Sequence, residues 1–342
     1  MTGVGYVGIV GRARTAAAYV RSHRRLAVGL QLAIVVATVA FCAWAVRDEW
    51  SKAAPLLENA QIGYVALAFA AVAVYYLVFI LGWIRMLAAW GIYAPYRPVL
   101  QAEMVSMIAK YLPGGLWMPA ARTVALRRSA GVTETPTVLA SILVEAALSA
   151  ISGVVVFVVS LAWIRGVDAP LLPLVLFAIL CAVLLHPRIF RPIGNRLFRP
   201  FGAGAIDPLP FPLTISLLIF YCGTWLIGGI AVYFLLRSLG TDPGLRTIPF
   251  LAGVSAVSAI VSVLVIFVPS GLGVREASMY GLLLAITTPG PALGATLLNR
   301  LAITVVEVVL FGVGVVTWRS GRQEATRREQ PARARPRRAG PS

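Results

Sequence analysis

Eight charged residues interrupt or flank long apolar runs: Lys110, Arg122, Arg275 and Arg300 on the basic side, and Glu103, Glu145, Glu276 and Glu307 on the acidic side. A charge surrounded by hydrocarbon is costly, and its default reading is functional. Arginine suits phosphate because its planar fork donates two hydrogen bonds at once. Arg275 and Glu276 follow a Pro/Gly break, where the first amides of the next helix point toward an anion. Arg300 and Glu307 are seven apart and share one helix face, two turns from each other. These types and spacings suit holding an anionic headgroup, with Lys110 and Arg122 from the first half and Arg275 and Arg300 from the second. Glu276 and Glu307 then hold Arg275 and Arg300 in place, and Glu145 joins the candidate binding set. Four positive and four negative charges also balance, so ion pairs locking helices together are the competing account, and Lys110 and Arg122 also have the reach to snorkel to inner headgroups.

Two breaks position these charges. Tyr111-Leu-Pro-Gly-Gly-Leu-Trp117 and Phe267-Val-Pro-Ser-Gly-Leu-Gly-Val-Arg-Glu276 each set Pro and Gly at the end of an apolar run. Pro removes a backbone donor and Gly permits positive φ, so each marks a helix interruption. Within a bilayer such a break survives only where protein or a wet cavity satisfies the freed backbone groups. Pro113, Gly114 and Gly115, with Pro269, Gly271 and Gly273, therefore join the candidate binding set. Paired breaks in corresponding halves are the sequence pointer to a transporter's site.

Composition agrees with a membrane setting: 59% hydrophobic, 13% charged and a mean hydropathy of +0.85 identify an all-α polytopic membrane protein. The expected layout is about six full spans (26–46, 62–90, 135–163, 169–186, 208–236 and 291–318) plus two re-entrant or broken helical hairpins, 95–130 and 247–288. Arg24-Arg25 before a 21-residue apolar stretch reads as a retained signal anchor, longer than the apolar core of a cleaved signal. Span–hairpin–span over 62–163 recurs over 208–318. Pro113 and Pro269 lie 156 residues apart, and at an offset of 155 Glu145 falls on Arg300 and Trp163 on Trp318. Three crossings separate the two starts, so the second copy is expected to be inverted. Residues 1–25 form a basic N-terminal segment, 26–318 the transmembrane domain, and 319–342 a basic tail expected to be disordered.

The net charge of +17 is not a nucleic-acid signal. It concentrates in 1–25, 91–134, 187–210 and 319–342, while the loops between them are nearly neutral, which is the positive-inside pattern with both termini cytoplasmic. Multi-pass insertion in the plasma membrane follows as the expectation. Cys42, Cys181 and Cys222 lie in apolar segments, and His23 and His186 at membrane edges, so no metal, cofactor or nucleophile–base set is expected and the protein is read as not an enzyme. Trp83, Trp90, Trp117 and Trp163 read as interfacial belts, and 223–229 with Gly312-Val-Gly314 as close helix packing.

Pro269-Ser-Gly-Leu-Gly-Val-Arg-Glu276 resembles the Pro-x-Gly-Gly-Leu-Gly-x-x-Glu signature of the lysylphosphatidylglycerol synthase transmembrane region, also called the flippase-like domain, with Ser270 where that family often has Gly. Lys110-Tyr-Leu-Pro-Gly-Gly115, followed by Arg122, is similar to the family's first-half motif. The likeness covers 26–318 and implies the lipid-translocating module; nothing in these residues resembles the aminoacyl-transferase domain of the synthases. The implied function is translocation of an anionic lipid or a polyprenyl-phosphate-linked envelope intermediate, with membrane lipids as partners. The alternative is a non-transporting accessory or scaffold subunit alongside envelope-biosynthesis enzymes.

Overall fold

A computed structural model describes residue 58 and residues 60–111, 117–162, 164, 171–198, 206–264 and 273–329. Among these, ten α-helices and no strand are formed. They are α1 (Ile62–Ala89), α2 (Tyr96–Ser106, prolonged by a 3-10 turn Met107–Tyr111), α3 (Trp117–Ala130), α4 (Thr135–Ser160) and α5 (Leu171–Leu185). There follow α6 (Pro187–Phe198), α7 (Phe211–Ser238), α8 (Ile248–Leu264), α9 (Val274–Leu283) and α10 (Pro289–Glu329). The protein is an all-α polytopic membrane protein. Ile62–Ala89, Thr135–Ser160, Phe211–Ser238, Leu245–Leu264 and Pro289–Thr317 are each long and apolar enough to cross a bilayer. The first limb of the second hairpin is thus of spanning length by itself, where the sequence reading takes it only as a limb. The expected span 26–46 lies outside the described residues, as do Pro113, Gly114, Gly115, Pro269, Gly271 and Trp163.

Helix ends follow local chemistry. Pro occupies the first turn of α4 and α7, where its missing N–H costs nothing. Gly91 and Gly240 take positive φ directly after Trp90 and Leu239, closing α1 and α7 in the same way. α5 was expected as a plain span to 186; it ends at Leu185, and the chain turns by 74° into α6. Pro187 opens the new helix at its first position. α10 runs to Glu329, past the 318 boundary and into the segment expected to lack structure. Arg, Gln, Glu and Ala dominate there, and good helix formers extend an existing helix without a new nucleation cost.

α1 and α7 run antiparallel along their whole length. Gln61 N–H donates to Ser238 O at 2.9 Å near one end, and Trp90 Nε1 donates to Asp207 O at 2.7 Å at the other. Between them Tyr64 stacks on Phe234, and Gly82 lies against Tyr221. α2 packs antiparallel on α10, with Gln101 Nε2 donating to Thr317 Oγ1 and Met104 against Gly314. α8 packs antiparallel on α4, with Gly253 on Phe157 and Gly153 on Ala256. The first limb of each hairpin therefore lies on the final span of the other half.

Small residues allow these approaches. A Cβ at Gly229 would meet Ala252 N and Ile248 O at 2.6 Å, and one at Gly253 would meet Phe157 Cα at 2.7 Å. The expectation of close packing holds at Gly229 and Gly314, whereas Gly223 and Gly312 face open space. Backbone cannot yield as a flexible side-chain end can, so Gly229→Leu and Gly253→Leu should each sharply reduce the yield of monodisperse protein. Gly223→Leu should not. Size-exclusion profiles and thermal midpoints of the three variants check this.

Candidate functional site: two buried charge clusters

The first cluster joins five helices around Arg122. α3 presents the guanidinium, and α2 and α3 are held as antiparallel limbs by Ser129 Oγ donating to Pro98 O at 3.0 Å. Arg122 Nε lies 2.6 Å from Glu103 Oε2 of α2, and Nη1 donates to Glu145 Oε2 of α4 at 2.5 Å. Trp83 of α1 covers the guanidinium face, with Arg122 Cζ 3.7 Å from the ring centroid. Its indole Nε1 donates to Ser141 Oγ at 2.7 Å. Tyr221 of α7 donates to Glu145 Oε1 at 3.2 Å, a reach that depends on the absent side chain of Gly82 beside its ring. Arg122, Glu103 and Glu145 are all at most 5% exposed. Glu145 lies ten residues into α4, about 15 Å along the axis at about 1.5 Å per residue.

The second cluster crosses between the halves. Lys110, at the end of the first hairpin's leading limb, pairs with Glu307 of α10, and the Tyr76 hydroxyl of α1 donates to the same Glu307 oxygen. Glu307 is 2% exposed while the Lys110 side chain is 27% exposed, so the lysine is the accessible end of the pair. Glu276 caps α9: its Oε2 accepts from Gly273 N–H at 2.6 Å. Its other oxygen, Oε1, lies 3.5 Å from Arg300 Nη1 of α10. Arg275, half-buried beside it, lies within electrostatic reach of Lys110, Tyr75 and Tyr76. It forms no hydrogen bond or ion pair with any described residue.

Eight of the thirteen residues marked from sequence are described: Lys110, Arg122, Glu145, Gly273, Arg275, Glu276, Arg300 and Glu307. They fall into two clusters instead of one. Arg122 does not snorkel; it is buried, hydrogen-bonded to Glu145, ion-paired with Glu103 and covered on one face by Trp83. Glu307, expected to hold Arg300, pairs with Lys110 from the other half, and the carboxylate of Glu276 serves Arg300. Trp83 is no belt residue: it is fully buried and forms the platform under Arg122. Trp117 is half exposed, and Trp90 anchors the loop before α7. The sequence reading missed Tyr76 and Tyr221 as site members, and it counted Glu103 among the membrane-depth charges without placing it in the binding set. Polar hydroxyls within uncharged spans were the available signal, since phenols in hydrocarbon need partners.

The spacing within each ion pair is nearly the same. Arg122 and Glu145 are 23 residues apart, and Glu276 and Arg300 are 24 apart, with the signs exchanged. In both, a second-limb residue meets the final span of its own half. Removing Arg122 leaves two carboxylates uncompensated in a dry setting. Arg122→Gln should cost about 3–5 kcal/mol, seen as a lost or much lowered thermal midpoint, and Arg122→Gln with Glu145→Gln should recover part of it. Arg275→Gln should leave the midpoint close to that of the parent.

No curated protein matches the chain. The sequence model of the family described as Lysylphosphatidylglycerol synthase TM region matches residues 28–312, which takes in every element that builds the two clusters, and the chain belongs to that family.

Proposed function

We propose that the protein translocates an anionic, phosphate-bearing lipid between membrane leaflets. The observation that carries this reading is Arg275: a half-buried residue at the start of α9, bonded to no described residue, within a cluster where three cations and two carboxylates are found among the described residues. One negative charge completes that cluster. The first amides of α9 add to the attraction, although Glu276 already occupies one of them. A lipid phosphodiester, or the phosphate of a polyprenyl-linked envelope intermediate, supplies the missing charge. The protein acts on it by movement and not by covalent chemistry, as a plasma-membrane protein with both termini cytoplasmic.

Support for two-sided access comes from the pattern of packing. Each contact of the first span–hairpin–span has a counterpart in the second, and the leading spans α1 and α7 run antiparallel. An inverted repeat has these properties. The Lys110–Glu307 pair, reaching from one half to the other, is suited to a latch that opens when a headgroup enters.

In liposomes carrying fluorescent anionic lipid, Arg275→Lys should slow translocation because a point ammonium lacks the bidentate fork, and Arg275→Gln should slow it further, by tenfold or more for the loss of about 1.5–3 kcal/mol of charged hydrogen bonding. Parental rates in Arg275→Gln, in protein that inserts and purifies normally, would make the assignment wrong. Cysteine labelling from outside intact cells should modify positions in 47–61 and 237–246 but none in 188–206. Labelling of the last segment would reverse the orientation.

A further inference from the structure

The two clusters carry opposite excess charge. Among the described residues around Glu307 and Glu276 the cations outnumber the carboxylates by one, which the proposed lipid phosphate answers. Around Arg122 the reverse holds: Glu103 and Glu145 share a single guanidinium. Among the described residues, the other groups facing this centre are Trp83 from α1 and Tyr221 from α7, neither of them a cation. A buried net negative charge lacks the compensation that its setting demands.

Geometry identifies the missing partner. Glu103 Oε2 is buried and accepts no hydrogen bond, although Arg122 Nε stands 2.6 Å away off the N–H direction. Arg122 Nη2 is likewise buried without an acceptor. The contacts of 2.5–2.6 Å among these atoms, under an indole lid at 3.7 Å, leave no room for a metal cation and its shell of oxygens. We infer that the Glu103–Arg122–Glu145 cluster is a proton-binding site whose proton is shared between the two carboxylates, and that lipid movement is coupled to proton movement. The coupling half of this inference rests on the translocation reading; the proton site does not.

α1 supplies the physical link: Trp83 lies over Arg122 in the first cluster, and Tyr76, two turns away on the same helix face, donates to Glu307 in the second. An anion arriving at Arg275 and a proton arriving at Glu145 each lower the cost of the other, which is reciprocal coupling between two sites. Together they bring both clusters to neutrality, the state in which a loaded carrier crosses hydrocarbon at least cost.

The test has two arms. Infrared difference spectroscopy of the purified parent across neutral pH should show one titrating carboxylic-acid carbonyl band. Glu103→Gln and Glu145→Gln should each remove it, because the remaining carboxylate then forms a simple pair with Arg122, and Glu307→Gln should retain it. A parent without the band, or a band that survives in both cluster variants, overturns the proton site. In liposomes an imposed pH gradient should change the parental rate of fluorescent anionic lipid translocation several-fold, and Glu103→Gln should bring the ratio of rates with and without the gradient to one. Translocation indifferent to the gradient, or responsive to sodium instead, overturns the coupling. Should the infrared result hold while the parent moves no lipid, translocation fails and the proton site stands.

Discussion

Arg122 is the interaction on which the first half depends. A guanidinium in hydrocarbon has no water to answer it, so each of its faces and edges must be met by protein. Glu103, Glu145 and Trp83 meet it from three different helices, and Tyr221 extends the network to a fourth. Five helices thereby have their rotation and depth fixed by one side chain. Apolar packing alone does not achieve this in a membrane, because lipid tails are as apolar as leucine and helices lacking polar pairs can rotate at little cost.

The second cluster uses the same physics for a different end. Two of its ties run between halves, from Lys110 of the first hairpin and Tyr76 of the first span to Glu307 of the last span, and Lys110 remains partly open. Ties within one half stabilise a body; a tie between two bodies holds one arrangement of them against another. The exchanged signs of Arg122–Glu145 and Glu276–Arg300 fit a scaffold whose two copies share packing but not charge. The second copy has a cation on its final span where the first has a carboxylate.

Much of the architecture was legible because hydrocarbon imposes simple rules. Spans announce themselves through long uncharged runs such as 62–84 and 208–236, and a resemblance carried by Pro269–Glu276 and Lys110–Gly115 points to the family. The charged members of the clusters were legible for the same reason: Lys, Arg and Glu stand out against apolar sequence. Their pairing was not. Glu307 is two turns from Arg300 along the chain, yet it pairs with Lys110, 197 residues away, and accepts from Tyr76, because neighbouring helices present those groups to it. Trp83 and Tyr221 were opaque because an aromatic in an apolar run looks the same whether it faces lipid or a guanidinium. The 74° turn after Leu185 hid behind a single Pro, and the helix beyond Trp318 behind a polar composition equally suited to coil.

That turn also bears on the surrounding lipid. α5 has 15 residues, about 22 Å of helix at about 1.5 Å per residue, against a hydrocarbon core of about 30 Å. One side of it, with Leu172, Leu176, Ile179 and Val183, is bare of protein. Beyond the bend, α6 turns Arg188 and Arg191 to solvent and carries Ile189 and Ile193 on another face, the composition of a helix that floats at the headgroup level. Where a short apolar helix is tied to such a float, the interface is drawn inward and the bilayer beside it thins.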